Sequence, residues 1–129
     1  MLDRIKELLT HSADFVIETT LSTLSYVKLV KDCKAKGYEI ILMYVWLNSP
    51  DLAKERVKQR VSKGGHNIPE DIIERRYYKG LTNLREKFVN LCDEWMLVDN
   101  SERGYVIVAQ KIAGEVNIYD KEKYRIIIK

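Results

Sequence analysis

Ile40-Ile-Leu-Met-Tyr-Val-Trp-Leu47 is an unbroken run of apolar residues with no polar alternation. A strand with one wet face alternates apolar and polar residues. A continuous run of this length therefore predicts a strand covered on both faces, as in the centre of a parallel sheet with helices on each side. Asn48-Ser-Pro-Asp51 follows at once and predicts a helix start. Ser49 can cap the free backbone N–H groups, Pro50 suits the first helical position, and Asp51 stands at the positive end of the helix dipole.

The same strand-then-helix pattern precedes and follows this run. Phe15-Val-Ile17 reads as a short strand closed by Glu18-Thr-Thr20, and Ser22 or Thr23 is placed to cap a helix that runs to Lys36. Leu24, Val27, Val30 and Cys33 form its inner stripe and Gly37 its stop. Upstream, Leu2, Ile5, Leu8 and Leu9 predict a short amphipathic helix over residues 2–11. Downstream, a helix over about 50–62 buries Ala53, Val57 and Val61, exposes Lys54, Arg56, Lys58 and Arg60, and breaks at Gly64-Gly65. Pro69 opens the longest predicted helix, whose stripe is Ile73, Tyr77, Leu81, Leu84, Phe88 and Leu91. Gly80 on that helix marks a close approach or a bend. Glu94–Asp99 is the next strand, and Tyr105–Ala113 with Glu115–Tyr119 predicts a hairpin turning at Gly114. In the tail, Ile126-Ile-Ile128 favours an edge strand over a short helix. The alternation through residue 99 predicts an α/β fold, a three-layer parallel sheet in one domain spanning 1–129.

Composition narrows the function classes. With 129 residues, 46% hydrophobic and 32% charged, the chain has enough apolar surface for one core and is not a disordered segment. Its 22 Lys and Arg stand against 19 Asp and Glu, and the net charge of +3 makes no case for nucleic acid or a membrane surface. Cys33 and Cys92 form no metal-ligand spacing and read as buried thiols. No signal-like segment and no long apolar span is present, so the cytoplasm is the expected location.

In an open α/β sheet, ligands sit beyond the carboxyl ends of the strands. Those ends would gather Glu18, Thr20, Asn48, Ser49, Asp99 and Asn100. Glu18 and Thr20, two residues apart, could both face a ligand, the carboxylate toward a sugar hydroxyl and the threonine toward a second polar group. Equally, Glu18 could solvate a strand end and Thr20 cap the next helix. The segment from Arg60 to Tyr77 places Arg60, Lys63, Arg75 and Arg76 on two helices around a glycine-broken turn. That arrangement suits a phosphate clamp, because guanidinium forks match phosphate oxygens. It equally suits a solvated basic face balanced by Glu55, Glu70, Asp71 and Glu74. His66, in the turn, and His11 have no evident partner and read as structural; the tryptophans and tyrosines read as packing.

Five blocks in this order carry a resemblance: Phe15-Val-Ile-Glu-Thr-Thr-Leu-Ser22, the Tyr38–Pro50 strand and turn, Arg60–Tyr77 with its Gly-Gly-His, Gly80-Leu-Thr-Asn-Leu84, and Val98-Asp-Asn-Ser101. Together they resemble the zeta toxin-like P-loop kinases. The resemblance implies a P-loop kinase fold, ATP with Mg²⁺, and phosphoryl transfer to a small molecule; the zeta toxins proper phosphorylate UDP-N-acetylglucosamine. It implies that Glu18 and Thr20 belong to the acceptor site, that residues 60–77 form a lid, and that Arg60 with Arg75 or Arg76 approaches the triphosphate. Between those last two the sequence does not choose.

The chain departs from that family in one respect. Its glycines, at 37, 64, 65, 80, 104 and 114, fit no Gly-x-x-x-x-Gly-Lys-Ser/Thr loop, whose N–H groups and lysine would hold phosphates. Phosphoryl transfer rests on positioning and electrostatics, so a kinase-like fold truncated at its N-terminus is expected to be inactive alone. Either a residual nucleotide-binding function or a non-catalytic protein-interaction module follows. In the full family fold a strand lies between those ending at Glu18 and Leu47. Here the two are expected to pair directly, or a homodimer or partner protein is expected to cover the gap.

Overall fold

The computed structural model describes Arg4, Glu7, Leu8, His11, residues 14–102 and residues 104–129. Most of the helix expected over 2–11 lies outside the described residues. Helix α1 is Ser25–Ala35, strand β1 Ile41–Trp46, helix α2 Pro50–Ser62 and helix α3 Glu70–Asn83. A π-helical turn, Leu84–Phe88, and a last α turn, Val89–Leu91, continue α3. Strands β2 (Glu94–Asp99), β3 (Val106–Ile112) and β4 (Glu115–Ile118) follow, and helix α4 (Lys121–Ile128) ends the chain.

The sheet is mixed, in the order β1-β2-β3-β4. Only β1 and β2 are parallel, with Ile41 opposite Glu94 and Trp46 opposite Asp99; the other two pairings are antiparallel. The α/β class holds, and the hairpin expected at Gly114 is found as β3 and β4, so the sheet is mixed with one parallel pair. A hairpin needs no crossover, so once the chain turns at Ala113-Gly114 its strands must run antiparallel. Both turn residues have left-handed backbones, φ 53° and 80°, as a two-residue primed turn requires.

One sheet face carries the main core. Leu42, Tyr44 and Trp46 of β1, Trp95 and Leu97 of β2 and Ala109 of β3 pack with Val27 and Val30 of α1, Tyr77, Leu81, Leu84 and Phe88 of α3 and its extension, and Ile127 of α4. Burying several such side chains at about 1.5–3 kcal/mol each supplies the main driving force. The opposite face of β1 is not covered as expected: Ile41, Met43 and Val45 stay 66%, 56% and 44% exposed. β1 is an edge strand, not a central one. The three-layer expectation is therefore not met at β1.

Residues 14–22 form no strand, which corrects the expected strand at Phe15–Ile17, and Leu21 within them has a left-handed backbone at φ 57°. Nor does this segment pair directly with β1: no described backbone hydrogen bond joins them. A β ladder needs a backbone partner, and no described backbone bonds to this segment. Instead, side chains hold it. Phe15 and Ile17 pack with Cys33, Tyr38 and Ile40, while Leu21 enters the main core.

Local signals account for most helix ends. Ser49 Oγ accepts from Leu52 N–H at 3.1 Å, with Pro50 in the first turn. The α1 start differs from expectation. Its N-cap is Leu24 with no side-chain cap, because the hydroxyls pair with one another, Thr20 with Ser22 and Thr23 with Ser25, each at 2.8 Å. The tail is a helix rather than an edge strand. Asp120 caps it by accepting from Lys123 N–H at 3.0 Å, and the helix puts Ile127 wholly into the core. Burial overrides the β preference of the three isoleucines. At its far end Arg85, lifted by the π turn, donates to the carbonyls of Ile127 and Ile126 at 2.6 and 2.7 Å. Cys33 and Cys92 are buried free thiols, as expected. Trp46 and Trp95 are buried, whereas Tyr78, Tyr105 and Tyr119 are more than half exposed, so packing does not account for every tyrosine.

Candidate functional site at the carboxyl edge of the sheet

β1 and β2 end side by side, and a short polar chain ties their ends. Asn100 N–H donates to Trp46 O at 2.9 Å, and Asn48 N–H donates to Ser101 Oγ at 2.9 Å. Ser101 Oγ–H donates to Asp99 Oδ1 at 2.5 Å, and Lys123 Nζ from α4 reaches Asp99 Oδ2 at 2.9 Å. Burial pushes the Asp99 carboxyl up, but the Ser101 hydrogen bonds and the Lys123 ammonium outweigh it and hold the group below the ordinary carboxylate range. Arg56, expected on the solvent face, donates through Nη2 to Asn100 O and Ser101 O at 2.8 and 3.2 Å. Asp99, Asn100 and Ser49 thus work as fasteners of the edge.

Glu18 and Thr20 lie on the neighbouring rim, both exposed. Their placement is set by α3. Asn83 Nδ2–H donates to Leu21 O at 2.5 Å, Leu21 N–H donates to Thr19 Oγ1 at 3.1 Å, and Gly80 lies directly against the Thr20 carbonyl. The close approach expected at Gly80 is made here. Glu18 has no hydrogen-bond or ionic partner among the described residues, whereas Thr20 Oγ1 is shared with Ser22.

The helical pair α2 and α3 stands above this rim, joined through Gly64-Gly65. Two of its lysines are paired: Lys54 with Asp51 and Glu74 at 3.8 and 3.3 Å, and Lys58 with Glu70 at 3.3 Å. Arg60, Arg75 and Arg76 are exposed and make no ion pair or hydrogen bond through their side chains among the described residues. Lys63, Lys79, Glu55 and Asp71 of this region likewise make no ion pair among the described residues. His66 is exposed in the turn.

Helix geometry separates the two adjacent arginines. Arg76 precedes Gly80 by four residues and shares the flank that meets Thr20; Arg75 is turned about 100° further, toward solvent. On α2, Arg60 lies one turn beyond Arg56 and so shares the flank that reaches residues 100–101.

Two open clefts flank this region. One, of about 300 Å³, is lined by Trp46, Asn48, Tyr77, Tyr78 and Arg85 among others. The other, of about 220 Å³, lies between α2 and α3 over Val57 and Ile73. Glu18, Thr20, Arg60, Arg75 and Arg76 line neither cleft, and no described contact joins Glu18 or Thr20 to the three arginines. Sequence reasoning missed Arg56, Lys123 and Tyr77, whose Oη–H donates to Leu47 O at 2.6 Å. The capping signal at Asp120 was the one clue to Lys123.

The donor set of the rim, arginines with a carboxylate and hydroxyls, suits phosphate oxygens and sugar hydroxyls. Among the described residues, no three His, Cys, Asp or Glu side chains come together. An α/β domain with a helical pair of free arginines over its sheet edge is the class defined by these features. The Zeta toxin family model matches residues 3–123, and the chain belongs to that family. Over 63 residues it is 40% identical to an uncharacterized protein of Haemophilus influenzae, a match covering 49% of this chain and 45% of that protein, less than half of either. No solved structure matches the chain. Membership in the family agrees with the resemblance carried by the five sequence blocks and supports a kinase-like ancestry. No described helix is long and apolar enough to cross a membrane.

Proposed function

We propose that this chain binds the phosphate groups of a nucleotide or nucleotide sugar across the rim formed by Glu18, Thr20, Arg60 and Arg76, and transfers no phosphoryl group by itself. The carrying observation is that Arg60, Arg75 and Arg76 are exposed and make no ion pair through their side chains among the described residues, whereas Lys54 and Lys58 on the same two helices are paired. Unpaired guanidinium groups are free to take phosphate oxygens. Arg76 is assigned over Arg75 because it shares the flank of Gly80. Glu18, free of partners, would accept from a sugar hydroxyl. The given sequence holds no glycine-lysine phosphate loop, so the reading is confined to binding by the residues it does hold.

Titration calorimetry with ATP and with UDP-N-acetylglucosamine, each with and without Mg²⁺, tests this reading. Binding is expected to weaken about tenfold or more in Arg60→Ala and in Arg76→Ala, and to be unaffected in Arg75→Ala. No heat with either ligand would remove the proposal. Equal loss in all three variants would reduce it to diffuse charge attraction.

The open edge of β1 favours a second reading, a non-catalytic interaction module on the same scaffold. An uncharged six-residue edge is uncommon in a protein that works alone.

A further inference from the structure

The last register pair of the two parallel strands is Trp46 opposite Asp99, so the next residues, Leu47 and Asn100, leave β1 and β2 side by side. A side chain of the helical pair takes a carbonyl at each of these positions. Tyr77 of α3 donates through Oη–H to Leu47 O at 2.6 Å. Arg56 of α2 donates through Nη2 to Asn100 O at 2.8 Å and to Ser101 O at 3.2 Å. Carbonyls just past a strand end have lost the ladder, and where partly buried they need another donor.

The two helices depend on these bonds to different degrees. Helix α3 is fixed independently: Tyr77 and Leu81 pack in the main core, and Asn83 donates to Leu21 O. None of the described α2 residues packs in that core, and Val57 is its one fully buried side chain. Lys54–Glu74 and Lys58–Glu70 tie α2 to α3, not to the sheet, and surface ion pairs of this kind fix geometry weakly. A cleft of about 220 Å³ lies open between the two helices. Among the described residues, Arg56 supplies the side-chain hydrogen bonds from α2 to the sheet edge, and it makes no ion pair. Its charge strengthens a bond to a neutral carbonyl. Arg60 follows Arg56 by one turn on the same flank of α2.

We propose that Arg56 is a positioning residue: its grip on the Asn100 and Ser101 carbonyls sets the angle of α2 over the sheet edge and so presents Arg60 to a phosphate-bearing ligand. The proposal rests on the phosphate reading above and names what orients that site. Arg56 acts through Arg60 and is assigned no contact with the ligand. A helix held at a preset angle spares the ligand the cost of ordering it, and a small misplacement of a binding group is expensive. Two carbonyls on one guanidinium also fix direction better than a single bond to an ammonium would.

The test uses the whole chain. Spin labels on Gln59→Cys of α2 and Glu115→Cys of β4, both exposed positions, read the distance from α2 to the sheet, with the buried Cys33 and Cys92 left in place. The distribution is expected to broaden about twofold or more in Arg56→Ala, to recover in large part in Arg56→Lys, and to stay unchanged in Tyr77→Phe, since the core holds α3. Titration with ATP and with UDP-N-acetylglucosamine is expected to show binding about fivefold or more weaker in Arg56→Ala, but less than about twofold weaker when Arg56→Ala is added to Arg60→Ala. An unchanged distance distribution in Arg56→Ala overturns the proposal. So do losses that add in the double variant, because Arg56 would then meet the ligand itself or act apart from Arg60. Near-ultraviolet circular dichroism from the buried Trp46 and Trp95 checks the fold; if Arg56→Ala loses that signal, Arg56→Lys carries the same comparisons with a smaller, still coupled loss. If neither nucleotide binds the unsubstituted chain, the phosphate reading falls, and the label distances alone decide whether Arg56 sets the helix.

Discussion

A Cβ atom on Gly80 would stand 2.6 Å from the Thr20 carbonyl oxygen, so helix α3 and the Glu18–Thr20 segment touch backbone to backbone. The contact explains a glycine in a helix interior, where it costs about 1 kcal/mol relative to alanine. Gly80→Ala is expected to lower stability by about 1–3 kcal/mol despite better helix propensity, because the overlap is with backbone that cannot swing aside. Urea unfolding measures this. A stabilised variant would show that the segment yields freely.

Asp99 ties β2 to α4, and its effect on stability has a defined sign. The carboxyl is held below its unfolded value, near 3.9, by Ser101 and Lys123 against the opposing effect of burial. Its contribution is present above the unfolded pKa and is lost as pH falls through the folded one. Wild type should therefore lose stability below about pH 4, and Asp99→Asn should lose less over that range while starting about 1–2 kcal/mol lower at neutral pH. Urea midpoints across that range give the comparison. Parallel acid limbs in the two proteins would count against Asp99 as a source.

Ala113 occupies a left-handed backbone at φ 53°, a conformation that costs most side chains about 1–2 kcal/mol. Asparagine tolerates it, and Asn-Gly is a favoured two-residue hairpin turn. Ala113→Asn is expected to gain about 0.5–1 kcal/mol, leaving the bond from its N–H to Glu94 Oε2 intact. Thermal and urea denaturation should agree on the gain.

Burial pushes the Cys92 thiol up to about 11 and raises Cys33 as well. Thiolate is the reactive form, so both should resist a disulfide reagent at about pH 8 in the folded chain and react in denaturant. Rapid labelling of native protein would mean that the core around α1 opens easily.

Several elements were legible because their signals are local. Ser49-Pro50, the Gly64-Gly65 break, the Gly114 turn and the stripe from Ile73 to Phe88 each depend on a few neighbouring residues, and all are found where expected. The strand at Phe15–Ile17 was not settled locally. Its β-branched residues supply propensity, but a strand exists only when another backbone bonds to it. The tail reversed for the same reason: its isoleucines prefer strand, yet Asp120 capping and burial of Ile127 made a helix.

By itself, the sequence determined an α/β domain of the zeta toxin family and the apolar strand at Ile41–Trp46. Tertiary structure decided which charges are already spent. Lys54 and Lys58 are paired, Lys123 crosses from the last helix to Asp99, and Arg60, Arg75 and Arg76 have no side-chain partner among the described residues. It also decided that β1 is an edge. Residue types declare what can bond, whereas partners distant in the chain determine which peptide and charged groups are left over.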